Sequence, residues 1–126
     1  MKFQPDRLDG TNAISRHEPG ALWVGAARWT SSVLVPWRGD VRPWPPASPE
    51  QLAPEHFAQL LALGPELVIF GSGSRLRFIA PALYRGLIEA RVGMETMDTA
   101  AACRTFNVLA SEGRSVVAAL LVPAAA

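Results

Sequence analysis

The eight-residue run SVVAALLV, residues 115–122, has a single polar side chain, at its start. A continuous apolar stretch of this kind suits a strand covered on both faces, in the middle of a sheet. ELVIF (66–70) and SSVLVPW (31–37) read similarly, the latter apolar through Val33, Leu34 and Val35. METM (94–97) predicts a further short strand. Nearer the N-terminus, NAISR (12–16) and LWVGA (22–26) flank HEPG, where Pro19 and Gly20 predict a hairpin turn.

Elsewhere the apolar residues recur at helical spacing. PEHFAQLLALG (54–64) brings Phe57, Leu60 and Leu61 together and stops at Gly64. PALYRGLIEARVG (81–93) opens at Pro81 and stops at Gly93, with Leu83, Leu87 and Ala90 on one face and Arg85 and Glu89 opposite. TAAACRTFNVLASEG (99–113) is the last helix. At about 100° per residue, Ala102, Cys103, Phe106, Leu109 and Ala110 fall within a stripe of roughly 120°, its expected core face. Alternating strands and helices imply a layered α/β fold. With the N-terminal hairpin included, the sheet is expected to be mixed. The 126 residues fit one domain, 1–126, with one core.

Residues 36–54 are too rich in proline for regular structure. They read as an ordered loop crossing over the sheet, pinned by Trp37 and Trp44. The P-x-x-P spacings at Pro43 and Pro46, and at Pro46 and Pro49, offer a weaker reading as a peptide ligand.

Two places carry candidate chemistry. The first is GSGSR, with Gly71, Ser72, Gly73, Ser74 and Arg75 directly after a strand. Backbone N–H groups in such a loop can cradle an anion, and Arg75 or Arg77 can clamp a carboxylate or phosphate. The loop also sits where α/β folds bind ligands, at a strand's carboxyl end. Neither nucleotide fingerprint is met, because Leu76 replaces the third glycine and no Lys-Ser/Thr pair follows. The competing reading is a tight turn that needs positive φ at glycine.

The second place is the last helix. Asp98 or Thr99 supplies its N-cap. Arg104, Asn107 and Ser111 share a polar face, and Thr105 borders the core stripe near Glu112. Asn and Thr are mediocre helix formers, so something other than propensity favours them. Either Asn107 and Thr105 bond neighbouring loops and Arg104 pairs with Glu95 or Asp98, or this corner is a recognition surface. Glu112 opposes the helix dipole, which Arg114 or Arg104 would offset.

Composition narrows the function classes. A net charge of +1 gives no electrostatic case for nucleic acid. The single cysteine, Cys103, can form no internal disulfide, fits a reducing compartment, and reads as a small buried hydrophobe. MKFQPDRLDG has no apolar core of a secretory signal, and VVAALLVPAAA is too short to span a bilayer, so the expectation is a soluble cytoplasmic protein without direct membrane insertion. His17 and His56 have no G-x-S-x-G serine to serve, and no His–carboxylate cluster has metal spacing. No catalytic residue, metal or cofactor is therefore assigned, and the residues favour binding over catalysis.

MDTAAACRTFNVLASEGRSVVAALL, preceded by VIFGSGS, resembles the Mth-type family of domains of unknown function. That family includes a mitochondrial respiratory complex I assembly factor and many bacterial proteins. Met97, Asp98, Thr99, Ala102, Arg104, Thr105, Asn107, Leu109, Glu112, Gly113 and Arg114 occupy the motif positions. The resemblance implies a three-layer fold with a central mixed sheet, helices on both faces and the final strand inside the sheet. It further implies a bacterial cytoplasmic relative acting as an assembly-factor-like domain through protein partners, with a homo-oligomer as a further possibility. The alternative is a small anionic-ligand-binding protein or minor enzyme using the GSGSR loop.

Overall fold

The computed structural model describes residues 10–123. MKFQPDRLDG, up to its ninth residue, and the alanines that close the chain lie outside the described residues. The frame is a five-stranded mixed sheet. Its strands are β4 (Val33–Pro36), β5 (Arg42–Pro43), β6 (Leu67–Gly71), β7 (Gly93–Met97) and β8 (Val116–Leu120), in the order β5-β4-β8-β6-β7. β8 runs parallel to β6 and antiparallel to β4, and β7 runs parallel to β6. The final strand is central, as its apolar run requires, and all five of its residues are buried.

The sheet separates two apolar layers, and alternation along each strand decides which layer a residue joins. Val33, Val35, Ile69, Val116, Ala118 and Leu120 face one layer. Leu34, Val68, Phe70, Val117, Ala119 and Leu121 face the other. The first layer is closed by the long helix Thr99–Ser111 through Ala102, Cys103, Phe106 and Ala110. Beside that helix lies a second sheet, β1 (Ile14–Glu18), β2 (Ala21–Val24) and β3 (Ala27–Trp29), antiparallel throughout, which contributes Ile14, Leu22 and Val24. The hairpin therefore forms its own sheet instead of joining the central one. The short strand β3 is absent from the sequence-based expectation, because only three residues separate the turn from a Thr-Ser-Ser stretch.

The second layer is covered by less regular chain. Helix α1 (Pro54–Ala58) continues as a 3-10 turn, Gln59–Leu63, and stops at Gly64. The expected helix over residues 81–93 is a 3-10 turn, Pro81–Tyr84, followed by α2 (Arg85–Glu89). Only Leu87 of this stretch is fully buried, so one turn of helix satisfies the contact. Trp44 is buried among Phe57 and Phe70 at edge-on ring distances of 5.7 and 6.2 Å, and its indole N–H donates to the His56 carbonyl at 3.2 Å. Trp37 packs half-buried on the first layer. The proline-rich stretch is thus tied to the core at both tryptophans. The long helix, Thr99–Ser111, is α3 below.

Candidate functional site

The carboxyl end of β6 meets the start of α3 at very close range. A Cβ on Gly71 would lie 2.9 Å from Thr99 Oγ1 and 3.0 Å from Thr99 Cα and Leu120 Cδ2. Glycine is required there by lack of space. Gly73 is required by conformation, since its φ is +109°.

Thr99 ties this corner together. It is 2% exposed. Its hydroxyl accepts from the Gly73 N–H at 2.9 Å and donates to the Leu121 carbonyl at 2.8 Å, while its own N–H donates to the Gly73 carbonyl at 2.9 Å. The Ser72 N–H donates to the Met97 carbonyl at 2.8 Å. The Ser72 hydroxyl donates to the Arg75 carbonyl at 2.8 Å and accepts the Arg77 N–H at 2.9 Å. Asp98 is the N-cap, accepting the Ala101 N–H at 2.8 Å. Thr99 is the first residue of the helix instead of its cap.

The first half of the glycine loop thus spends its N–H groups on the protein. Beyond it, Ser74 and Arg75 have no protein acceptor for theirs among the described residues. Both line a half-open pocket of about 190 Å³ with Ser48, Pro49, Glu50, Ser72, Gly73, Arg77 and Pro123. Arg77 pairs with Glu50 at 2.6 Å, and that bond holds the Glu50 carboxyl below its usual range. Arg75 is exposed and forms no ion pair with a described residue.

The polar face of α3 divides. Asn107 Oδ1 accepts the Ile14 N–H and its Nδ2 donates to the Ile14 carbonyl, both at 2.8 Å. β1 is an edge strand whose register slips between Ile14 and Arg16. The Asn107 amide therefore takes the place of a neighbouring strand at that irregularity. Ser111 donates to the carbonyl of Val108 on its own helix, at 2.8 Å. Thr105 is half-buried and makes no side-chain hydrogen bond among the described residues, against the expectation that it ties a loop. Arg104 is exposed and pairs with neither Glu95 nor Asp98. Arg114 pairs with Glu66 at 3.0 Å, and the exposed Glu112 at the helix end forms no ion pair with a described residue.

Two titrating groups lie near Arg104. His17 is lowered from its ordinary value, first by desolvation, with Asp98 opposing that shift and Arg104 reinforcing it. Burial pushes the Cys103 thiol up to about 12, so it is protonated at neutral pH and packs as a small apolar group. No set of three His, Cys, Asp or Glu residues among those described could hold a metal ion. No described helix is long and apolar enough to cross a membrane.

Residues 14–121 match the family described as "Protein of unknown function (DUF498/DUF598)". The chain belongs to this family. A Bordetella parapertussis protein of known crystal structure shares 34% identity at a TM-score of 0.85, covering 90% of this chain and 97% of that one. A Bordetella pertussis protein, solved in solution and described as an Mth938-like domain, shares 28% identity at a TM-score of 0.85 over 100% and 95% of the two chains. The Bos taurus protein named "NADH dehydrogenase [ubiquinone] 1 alpha subcomplex assembly factor 3" is 35% identical over 82 residues, 64% of this chain and 45% of its own length. The chain thus spans about half the length of that relative. The Mth-type fold and the distant likeness to a complex I assembly factor agree with the motif read from residues 68–74 and 97–121.

Three features of this family member were not legible in the motif. Ser32 is buried and accepts the Val122 N–H at 3.0 Å, which anchors the end of the central strand. Glu50, from the proline-rich stretch, neutralises Arg77. Phe78 is 78% exposed, an unusual position for phenylalanine that only an apolar residue inside a Gly-Ser-Arg stretch hints at.

Proposed function

We propose that this chain is a non-catalytic, cytoplasmic protein-interaction domain that helps assemble a multi-subunit complex. The observation that carries this reading is its likeness to assembly-factor relatives, 35% identical over 82 residues in the bovine case. The geometry fits such a role. The buried Thr99 and the half-buried Asp98 and Asn107 spend their polar groups on architecture, and the exposed Arg104 is left available for a partner. Whether the partner is another protein or a second copy of this chain is decided by the same experiment.

A small anion at the glycine loop is the second reading, favoured by the pocket that holds Ser74 and Arg75. Affinity purification of the tagged chain from its native cells, beside Arg104→Ala, tests the first reading. A defined partner enriched by the wild type and depleted by the variant is the expected result. Recovery of no protein in stoichiometric amount overturns it.

A further inference from the structure

We propose that the pocket beside the glycine loop receives a carboxylate presented by a partner polypeptide, held by Arg75 and the backbone N–H groups of Ser74 and Arg75. This rests on the interaction reading above and names its surface.

Topology places the pocket. The connection leaving β6 runs to α2 and its Leu87, over one face of the sheet. The connection leaving β7 runs to α3 and its Phe106, over the other. Neighbouring parallel strands whose connections part to opposite faces open a crevice at their carboxyl ends, which is where open α/β sheets bind ligands. Here hydrogen bonds from Ser72 to Met97 and from Gly73 to Thr99 close the inner part of that crevice. What stays open is its outer rim, at Ser74 and Arg75.

Charge and size select the ligand. Glu50 compensates Arg77, so among the described residues that line the pocket Arg75 leaves one uncompensated positive charge. A monoanion balances that charge, whereas a doubly charged phosphate would overshoot it. A guanidinium fork and adjacent N–H donors match the two oxygens of a carboxylate. The volume of about 190 Å³ lies below that of cofactor and drug-sized sites, roughly 300 Å³ and above, and suits a single acidic side chain or chain terminus.

The neighbouring residues argue for a polypeptide. Leu76 and Phe78, on the same stretch as Arg75, are 49% and 78% exposed, while Ile79 turns into the second apolar layer. The stretch is held by the Arg77 N–H on Ser72 and the Arg77 guanidinium on Glu50. A segment that sets a carboxylate on Arg75 can cover these apolar side chains as well, which a free small anion cannot.

The test is an amide-shift titration of the full chain with N-acetyl-phenylalanine, which carries both groups. The uncharged N-acetyl-phenylalanine amide, acetate and inorganic phosphate are run as separate arms. Expected are shifts confined to residues 73–78, with binding weakened about tenfold for the amide and for Arg75→Gln, and less for Phe78→Ser. Equal binding of acid and amide overturns the carboxylate site. Phosphate binding as tightly as N-acetyl-phenylalanine overturns the polypeptide source in favour of a free anion. Purification from native cells separates the two readings. A partner retained undiminished by Arg75→Gln and Phe78→Ser overturns this surface and leaves the assembly role standing. No partner, with probe binding intact, overturns the assembly role and the polypeptide source together.

Discussion

Residues 71–73 and residues 74–78 adjoin in sequence and, Arg77 apart, treat their polar groups in opposite ways. In the first stretch the N–H groups of Ser72 and Gly73 and the hydroxyl of Ser72 all find protein partners. In the second, the N–H groups of Ser74, Arg75, Leu76 and Phe78 and the Arg75 guanidinium have none among the described residues, and two large apolar side chains face water. The difference gives Gly71, Gly73 and Thr99 an architectural part, and it is on the stretch that follows that the proposed carboxylate contact rests.

Substitution on the sealed side is expected to cost most. Gly71→Ala forces a methyl into Thr99 and the Leu120 side chain, where the backbone of α3 cannot retreat without moving the helix. Overpacking of this kind costs about 3 kcal/mol. Urea unfolding of the variant measures it, and a loss under about 1 kcal/mol would show that the corner relaxes freely. Thr99→Val keeps the shape and removes the hydroxyl. It leaves the Gly73 N–H and the Leu121 carbonyl buried without that partner, for an expected loss of about 2 kcal/mol. On the open side, Arg75→Gln and Phe78→Ser should each stay within about 0.5 kcal/mol of the wild type. Equal costs on both sides would erase the contrast.

Asn107→Ala should fall between these, at about 1–2 kcal/mol, because it strips both backbone groups of Ile14 of their partner in a half-buried edge. Amide exchange gives the sharper readout. The Ile14 N–H should lose protection before any other amide of β1. Unchanged protection there would mean that Asn107 is not the group holding the strand.

How legible each of these was follows from the range of the interaction. The apolar run 115–122 announced a central strand because burial on both faces is written in consecutive residues. The Asp98 cap was legible because its partner, Ala101, is three residues away. Gly73 could be read as a turn glycine from its neighbours alone. Gly71 could not, since its requirement comes from Thr99 and Leu120, which reach it only through the folded sheet. Asn107 was ambiguous for the same reason. Its partner Ile14 lies 93 residues away, and nothing on α3 distinguishes an asparagine tied to a strand from one facing a ligand. The span 54–63 and its stop at Gly64 were legible, though not its 3-10 second half, whereas the helix over residues 81–93 was read too long, because apolar spacing shows which residues are buried and not how many turns connect them.

The smallest expected effect separates Arg104 from Asn107, three positions along the same helix face. Arg104→Ala removes an exposed side chain with no ion pair to a described residue, so stability at neutral pH should change by less than about 0.5 kcal/mol. Its electrostatic trace should still be visible at His17. Desolvation lowers that imidazole first, and the Arg104 charge lowers it further. A histidine lowered on folding binds its proton more readily in the unfolded chain. Its contribution to stability is therefore present above the unfolded value of about 6.5 and is lost as pH falls through the folded value beneath it. Without Arg104 the His17 titration should move upward, since one of the two influences that lower it is gone while Asp98 and Glu18 still raise it. Proton NMR of the imidazole follows this directly. An unmoved His17 midpoint would mean that the arginine's charge does not reach the hairpin, and α3 would then present Arg104 to solvent alone.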